Sequence, residues 1–346
     1  MSALSDILIE WYASNKRDLP WRNTVDPYLI WISEIILQQT RVDQGLDYFL
    51  RFIRRFPDIS TLAEASEDEV LKYWQGLGYY SRARNLHEAA KGMHGLFPAT
   101  YEGVRALKGV GDYTAAAVCS IAYGMPYAVV DGNVYRVLSR YFGIDTPIDS
   151  TEGRKLFYAL AQEMQDKSRP ALYNQAIMDF GAMQCVPKSP DCFSCPLLES
   201  CFAKSKENVG AFPVKRKKTK TSNRYFNYIY ARTGAYTFLQ KRVGNDIWKN
   251  LFEFPLVETT APVREEEFLA LPQVQSFFAE NESPVFHLVC KNIKHVLSHR
   301  IIYANFYEVS LPENSSSFAM CERIRIEDLE EYAVSRLMHA FIEKYL

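Results

Sequence analysis

The sequence lacks any long apolar run. None of its hydrophobic stretches approaches the roughly 20 residues that a membrane-spanning helix needs, and the N-terminus has no basic-then-apolar signal pattern. The formal net charge is −1, from 40 basic and 41 acidic residues, so overall charge gives no sign of nucleic-acid binding, and any such binding must use local basic faces. Internal repeats and low-complexity tracts are also missing. These absences predict a protein without membrane association, located in the cytoplasm (the bacterial nucleoid) or in a eukaryotic nucleus.

Cysteine is scarce, with seven in 346 residues, but four of the seven fall in one short segment. These four follow the spacing C-x6-C-x2-C-x5-C and are Cys185, Cys192, Cys195 and Cys201. Thiolates this close together suit a tetrahedral metal site or a cubic iron–sulfur cluster. Only the central pair has the C-x2-C spacing that a zinc ribbon uses twice, and the wider outer gaps give the loop enough reach to wrap a cluster. Free or disulfide-bonded cysteines are the alternative, which the clustering disfavours.

Apolar periodicity changes along the chain. Up to about residue 205 it is helical, as in segments 27–56, 67–74 and 151–164. Beyond a basic run at 215–220, which predicts a solvated linker, aromatic and β-branched residues predict strands at 225–231, 236–242 and 301–309. Candidate helices follow at 265–271 and 326–333. The pattern predicts an all-α part followed by a smaller α+β domain.

A glycine-containing turn at Gly109 and Gly111 separates two helical patterns, 101–107 and 114–123. The glycines allow a tight turn and close approach of the backbone to another surface, and the next helix presents free N–H groups to a phosphate. Alone, this signal is weak and a plain turn is the alternative. It is strengthened by Asp131 about twenty residues later, for which helix capping is the alternative interpretation.

Glu34 interrupts a strongly apolar helical segment. A solvated glutamate is the ordinary interpretation, but Ile35, Ile36 and Leu37 leave little polar surface beside it. A desolvated carboxylic acid has a raised pKa and can donate a proton near neutral pH. We therefore expect Glu34 to be buried and to act as an acid.

Four sequence motifs and the cysteine segment occur in one order along the chain. They are W-I-S-E-I-I-L-Q-Q-T from residue 31, G-L-G-Y-Y-S-R-A-R-N-L from residue 76, L-K-G-V-G-D-Y-T from residue 107 and V-D-G-N-V from residue 130. Together they resemble the helix–hairpin–helix DNA glycosylases, and within them the adenine DNA glycosylases of the MutY type. The resemblance is close over about 1–205 and looser beyond.

This resemblance implies removal of adenine mispaired with 8-oxoguanine in double-stranded DNA, with the base rotated out of the stack. Glu34 matches the acid that protonates adenine N7. Asp131 matches the carboxylate that stabilises the oxocarbenium-like sugar, and Asn133 matches an amide beside it. Relatives that also nick the strand carry a lysine at position 113, able to form a Schiff base. Tyr113 implies a monofunctional enzyme.

Further matches concern DNA and cofactors. Gln39 and Tyr79 match residues that enter the duplex beside 8-oxoguanine. Without the resemblance, we would interpret Gln39 as a surface amide and Tyr79 as a core aromatic. The resemblance also implies DNA contacts from Arg82, from the hairpin and from Lys188 in the cysteine loop. It implies a 4Fe–4S cluster on the four cysteines, and loop carbonyls at the hairpin could hold a monovalent cation. Lys108 stands where the family more often has proline.

The C-terminal part is similar to the Nudix-like recognition domain of the family. Ser298 and His299 match a loop that faces 8-oxoguanine, although Leu297 replaces the usual phenylalanine and Lys249-Asn250 replaces a glycine-rich pair. The pyrophosphatase signature with its metal-binding glutamates is missing, so nucleotide hydrolysis is not expected.

The expected organisation is multidomain. It comprises a helical catalytic region at 1–210, with the helix–hairpin–helix module at about 22–124 and a cluster-containing lobe formed by the N-terminal segment and 125–210. A basic linker at 211–222 and a Nudix-like domain at 223–346 complete it, and the protein is expected to be a monomer.

Two other function classes stay open. One is another glycosylase of this fold, endonuclease III-like or specific for thymine mismatches. The other is a non-catalytic DNA-binding protein.

Overall fold

The protein is described by a computed structural model that covers residues 3–216, 221–279, 282 and 284–346. Chain contacts divide it into two compact units. The first comprises Met1–Glu64 with Asn85–Lys217, and the second comprises Ala65–Arg84 with Lys218–Leu346. Residues 65–84, which fall within the predicted helical region, therefore pack with the C-terminal part of the chain. Among the described residues, every helix is too short or too polar to cross a membrane.

The chain up to the basic run is helical, as expected. Its α-helices are α1 (Ala3–Asn15), α2 (Pro27–Leu37), α3 (Val42–Arg55), α4 (Ile59–Glu64), α5 (Glu67–Trp74), α6 (Ser81–Gly92), α7 (Tyr101–Ala106), α8 (Asp112–Tyr123), α9 (Gly132–Phe142), α10 (Thr151–Met164), α11 (Pro170–Met183) and α12 (Phe202–Ser205). The periodicity at 67–74 and 151–164 thus predicted α5 and α10 correctly. Both helices begin at a serine, Ser66 and Ser150, whose side chain accepts an N–H of the first turn.

The periodic segment 27–56 is two helices rather than one. The side chain of Asp26 accepts the N–H of Tyr28, and Pro27 opens α2. The chain then leaves helical geometry at Gln39, whose φ is 57°, and α3 starts at Val42. Apolar periodicity continued across this turn, which is why it did not reveal the break.

The core of the first unit lies between α1, α8, α9, α10 and α11. Helix α11 is buried on nearly all sides, with Tyr173, Ala176, Ile177 and Phe180 at 1% exposure or less. A helix buried on most sides belongs in the interior of a bundle, and here the polar residues Asn174, Gln175 and Asp179 are buried with the apolar ones. Helices α1, α8 and α9 pack against it. Asp131 caps α9, Tyr113 lies in the first turn of α8, and Glu34 lies within α2.

The second unit contains a seven-stranded mixed sheet. Its strands are β1 (Ser222–Thr233), β2 (Tyr236–Lys241), β3 (Phe252–Glu253), β4 (Leu256–Thr259), β5 (Phe286–Val296), β6 (Arg300–Ser310) and β7 (Glu322–Arg325). The main order is β3-β2-β1-β6-β5, with β4 paired to β1 and β7 paired to β2. Strands β1 and β6 are parallel, whereas the other named pairs are antiparallel. The three predicted strands are confirmed as parts of β1, β2 and β6.

Helices α13 (Glu265–Leu269) and α14 (Pro272–Gln275) lie against one face of this sheet, where Phe268 and Val274 join Ile229 and Tyr307 in an apolar cluster. The predicted helix 265–271 is therefore shorter than expected. The predicted helix 326–333 was wrong, because a 3-10 turn at Ile326–Glu331 is followed by extended chain. There Ala333 accepts the backbone N–H of Phe252, and Val334 forms a β-bridge with the same residue. The C-terminal helix α15 (Arg336–Tyr345) follows.

The predicted linker at 211–222 is only partly described, because residues 217–220 of the basic run lie outside the described residues. Its first part lies along the first unit. The N–H of Ile148 donates to Val214 O (3.1 Å), and the N–H of Arg216 donates to the Asp149 carboxylate (3.0 Å). The predicted domain limits themselves stay predictions.

Candidate active site and DNA interface

Glu34 lies in α2 and is buried, with 8% of its surface exposed. The solvated alternative is therefore wrong. Its side chain reaches a cavity of about 400 Å³ in the first unit. The cavity is also lined by Tyr113 of α8 and by Asp131 and Asn133 at the start of α9, so three segments of the chain meet there. The four residues expected to do the chemistry thus share one cavity.

Burial raises the pKa of Glu34 above its ordinary value. A hydrogen bond with Tyr113 and the positive charge of Arg22 oppose this shift, while the negative charge of Asp131 adds to it. Tyr113 is itself desolvated, which raises its pKa, and its hydroxyl also lies 3.1 Å from Met178 Sδ. Burial thus favours the protonated form of the Glu34 carboxyl group more than solvent exposure would.

Asp131 is the N-cap residue of α9, so the capping interpretation is correct for its structure. Its Oδ1 accepts the backbone N–H groups of Asn133 and Val134, both at 2.9 Å, and its Oδ2 accepts the side-chain amide of Asn133 at 2.9 Å. Burial raises the pKa of Asp131, and these N–H donors oppose the rise. A helix N-terminus with three N–H donors stabilises a carboxylate, so Asp131 is much better equipped than Glu34 to carry a negative charge.

Both polar atoms of the Asn133 side-chain amide are hydrogen-bonded, its nitrogen to Asp131 and its oxygen to Arg136. Its Oδ1 accepts from Arg136 Nη2 (2.8 Å), and the same guanidinium donates to Gly181 O (2.6 Å) and Cys185 O (2.7 Å). Gly181 permits close contact between α9 and α11, because a Cβ there would lie 2.6 Å from the Cβ of Asn133. The cavity wall at Asn133 is thereby tied to the first residue of the cysteine loop.

The four loop cysteines line one pocket of the first unit, together with Arg140 and Lys204. All four are free thiols, so the disulfide alternative is wrong. Arg140 Nη1 donates to Cys185 Sγ (3.3 Å), and Cys201 Sγ lies 3.6 Å from Arg140 O. Within the described part of the chain, no three His, Cys, Asp or Glu side chains are grouped closely enough to hold one metal ion.

The hairpin joins α7 to α8 as predicted. Gly109 has a φ of 80°, and a Cβ there would lie 2.9 Å from the Cβ of Asn85. Gly111 is the N-cap of α8 in extended geometry, with open space where a Cβ would be. Arg105 pairs with Asp112 (2.6 Å), and Lys108 pairs with Glu88. Gly109 is thus required by the fold itself, whereas the space beside Gly111 is open, and its phosphate contact stays a prediction.

The other predicted DNA-contacting residues lie in different places. Gln39 is exposed in the turn after α2, and Lys188 is exposed in the cysteine loop of the same unit. Tyr79 and Ser298 belong to the second unit, where they are hydrogen-bonded to each other and line one pocket with His299. Tyr79 is 48% exposed, so the core-aromatic alternative is wrong. Arg82 lies over the rings of Trp74 and Tyr79, and burial lowers its pKa to about 10.

Comparison with known proteins agrees with this geometry. Residues 32–162 match the HhH-GPD superfamily of base excision DNA repair proteins, and residues 227–344 match the NUDIX domain. An adenine DNA glycosylase from Buchnera aphidicola subsp. Baizongia pistaciae is 34% identical over 308 residues, which cover 86% of this chain and 83% of that protein. The chain belongs to the adenine DNA glycosylase family. It is a DNA glycosylase, and the resemblance inferred from its motifs is confirmed.

Solved structures show the same fold for the helical part. A thermostable thymine-DNA glycosylase superposes with a TM-score of 0.55 at 30% identity, over 59% of this glycosylase and 95% of that chain. An endonuclease III trapped as a covalent intermediate with DNA has a TM-score of 0.52 at 22% identity, over 59% and 94% of the two chains. The latter supports the fold alone. The fold class predicted for the glycosylase is thus confirmed. Because the protein belongs to a family of DNA glycosylases, DNA is its partner.

Two arginines of the cavity were missed in the sequence. Arg17 and Arg22 both line it, and both contact the carboxylate of Asp179, which is completely buried. Arg22 Nη2 lies 2.9 Å from Asp179 Oδ1. No local spacing links positions 17 and 22 with position 179, so only the packing of α11 against the N-terminal segment reveals this cluster.

The two hairpin glycines are expected to respond differently to substitution. Gly109→Ala should lower the stability of the glycosylase by about 1 kcal/mol or more, because alanine is strained at positive φ. Gly111→Thr should leave stability nearly unchanged, since threonine is an acceptable N-cap, but its side chain would stand where phosphate approaches. Thermal unfolding and duplex-binding titrations measure the two effects. Equal DNA affinity of Gly111→Thr and wild type would contradict a phosphate contact at this position.

Proposed function

We propose that the glycosylase removes adenine paired with 8-oxoguanine or guanine in duplex DNA, hydrolysing the N-glycosidic bond and leaving the strand uncut. The observation that carries the proposal is that two carboxyl groups, the buried Glu34 and the half-buried Asp131, share one cavity and have unlike surroundings. Two carboxyl groups whose environments separate their proton affinities are suited to acid catalysis and charge stabilisation.

In this mechanism Glu34 donates its proton to N7 of the rotated-out adenine. The base then leaves with the electron pair of the C1′–N9 bond, which generates positive charge at the sugar. Asp131 stabilises that charge as a carboxylate, and water adds at C1′ with loss of a proton. Asn133 keeps Asp131 in position through its amide hydrogen bond. Tyr113 has no amine, so no Schiff base forms at that position and the strand is not cut.

The other glycosylase specificities fit less well. Endonuclease III-like nicking needs an amine where this protein has Tyr113, and the match of 227–344 to the NUDIX domain adds a unit that suits recognition of the opposite base. A purely structural DNA-binding role gives no reason to place the buried Glu34 and the half-buried Asp131 in one cavity, since removing a carboxyl group from water has a cost in free energy.

Ser298 and His299 are proposed to read 8-oxoguanine, with Tyr79 beside them. All three line one pocket of the second unit, which supports this role, and Ser298 and His299 lie in the turn between β5 and β6. Ser298 and His299 are exposed and can offer hydrogen bonds that only the oxidised base satisfies. Asn250, one of the departures from the glycine-rich pair, adopts a φ of 65° and donates its side-chain amide to Glu67. Asparagine tolerates this conformation, so the departure does not disturb the loop.

A 4Fe–4S cluster is proposed on Cys185, Cys192, Cys195 and Cys201. The four cysteines contain only one C-x2-C pair, whereas a zinc ribbon uses two such pairs. The cysteines face one pocket beside Arg140 and Lys204, whose charges suit an anionic thiolate cluster. When bound, the cluster supplies a rigid cross-link for the loop, and the loop presents Lys188 to the DNA backbone.

The remaining proposals concern the surroundings of the reaction. A monovalent cation at the hairpin would compete with Arg105, whose Nη1 donates to Val110 O (2.9 Å). The glycosylase is proposed to act as a monomer, in the bacterial nucleoid or the eukaryotic nucleus. The catalytic region at 1–210 and the recognition domain at 223–346 are proposed as its two functional parts.

Loss of either carboxyl group is expected to stop base release without stopping DNA binding. Glu34→Gln and Asp131→Asn should each slow single-turnover adenine release by at least about a hundredfold, the scale for removing a positioned acid or charge stabiliser. Gel-shift titrations with the same duplex serve as the control for binding. A near-wild-type rate in either variant refutes the role assigned to that residue.

Purified protein is expected to contain about four iron atoms per chain and to absorb broadly in the visible range. Cys192→Ser should reduce iron content and loosen the loop, whereas Cys119→Ser, at a buried cysteine of α8, should retain the full iron content. Colourless protein with one zinc per chain would show that the cluster assignment is incorrect.

Ser298→Ala combined with His299→Ala is expected to reduce discrimination between adenine opposite 8-oxoguanine and adenine opposite guanine. The rate with guanine should change little, because neither residue lies in the catalytic cavity. Single-turnover rates with the two duplexes give the ratio directly. An unchanged ratio would assign recognition to other residues.

A further inference from the structure

A series of five ion-paired residues extends through the second unit to the proposed 8-oxoguanine pocket. Its members alternate in charge and are Glu258, Arg224, Asp246, Arg242 and Glu253. One member, Asp246, lines the pocket, with Ile247 and Trp248 beside it. Both arginine side chains are mostly buried, with 11% of Arg224 and 13% of Arg242 exposed.

Arg242 makes the most contacts of the five residues in this series. Its Nη1 lies 2.8 and 2.9 Å from the two carboxylate oxygens of Glu253, and its Nη2 lies 3.2 Å from Asp246 Oδ2. Its Nε donates to Ile247 O (3.1 Å). The backbone of Arg242 also pairs with the far end of the loop, accepting the N–H of Asn250 (2.7 Å) and donating to Leu251 O (2.9 Å). One residue thus fixes both the start and the end of the loop 243–251.

Arg224 holds the loop from a different strand. Its guanidinium binds both oxygens of Glu258 at 2.6 Å, and its Nη1 lies 2.6 Å from Asp246 Oδ2. Both arginines also lie over the ring of Phe226, at 4.8 and 5.7 Å from its centroid. Asp246 therefore forms ion pairs with two guanidinium groups, each of which is also bound to a carboxylate of the sheet. Asp246 and Glu258 are 31% and 39% exposed, whereas Arg242 and Glu253 are both largely desolvated, so the Arg242–Glu253 pair is the one that is stronger than an exposed ion pair.

The loop needs this support because of Trp248. Its φ is 59°, a conformation that a bulky residue adopts only where its surroundings impose it. The Trp248 ring is 9% exposed and packs edge-on against Phe226 (6.0 Å) and His295 (5.8 Å). His295 is in β5, three residues before Ser298. The position of Trp248 therefore bears directly on the strand that carries the recognition turn.

We infer that Arg242, together with Arg224 and Glu253, acts as a positioning group for base recognition, holding Ile247 and Trp248 as a fixed wall of the pocket beside Ser298 and His299. This inference rests on the proposed reading of 8-oxoguanine in that pocket. Arg242 touches neither base nor sugar in this role. It acts through the loop, so its loss affects discrimination of the opposite base rather than cleavage of the glycosidic bond.

The test replaces the buried pair without leaving one charge alone, because an unpaired buried charge would destabilise the fold by itself. The variant is Arg242→Met with Glu253→Gln. Arg242→Lys keeps the charge beside Glu253 but loses the fixed fork of donors, and it serves as the second variant if the first does not fold. Arg232→Met, which breaks the more exposed pair with Glu308 in the same unit, is the matched control.

Single-turnover rates are measured with full-length protein on duplexes with adenine opposite 8-oxoguanine and opposite guanine. The double variant should lower the ratio of the two rates about three- to tenfold, the scale of one or two hydrogen bonds, with the guanine rate within about twofold of wild type. Arg242→Lys should shift the ratio less and in the same direction, and Arg232→Met should leave it unchanged. Thermal unfolding of each variant establishes that it is folded.

Two failures can be distinguished. If wild-type protein shows no preference for 8-oxoguanine, the proposed recognition function is wrong. If wild type has the preference and the folded double variant keeps the same ratio, recognition stands and the positioning role of Arg242 is overturned. An equal loss with both duplexes would also overturn it, because that result describes general destabilisation.

Discussion

Burial of the Glu34 carboxyl group is the constraint on which the catalytic account depends. Eight of the eleven residues of α2 are buried, Glu34 among them. A carboxylate in such a place loses its hydration, so the group keeps its proton above its ordinary pKa. The unfolded chain would release that proton above about pH 4.5. The folded state therefore binds more protons, and Glu34 lowers stability progressively as pH rises from that value toward its folded pKa. This cost is understandable if the proton is used in the reaction.

Asp131 shows how a second carboxyl group in the same cavity can have a different role. It sits at the first turn of α9, where two backbone N–H groups and the amide of Asn133 point at its oxygens. This arrangement depends on the contact of α9 with α11 at Gly181, where the helices approach too closely for any larger residue. Arg136 then connects Asn133 to the cysteine loop through Cys185 O. The geometry of the acid–carboxylate pair thus results from helix packing in the first unit.

The sequence predicted those features of the site whose cause is local. Glu34 was recognisable because its neighbours in the chain are apolar, and Gly109 because a turn with positive φ favours glycine. Features that depend on distant partners could not be predicted. Asp179 lies 162 residues from Arg17, and its burial appears only when α11 packs. Strand β5 leads into the turn at Ser298 and His299 but has no regular alternation of buried and exposed residues, and register shifts near Cys290 interrupt its pairing. The packing of residues 65–84 with the C-terminal sheet likewise has no signature in their helical periodicity.

The protonation state of Glu34 tests the central claim most directly. Infrared difference spectra of wild type and Glu34→Gln, recorded as pH is raised, isolate the carbonyl stretch of this protonated carboxyl group. The account predicts that the band persists above pH 4.5 and disappears as the raised pKa is passed, while Tyr113→Phe, which removes the opposing hydrogen bond, extends it to still higher pH. Loss of the band at or below pH 4.5 in wild-type protein would contradict the assignment of Glu34 as the proton donor.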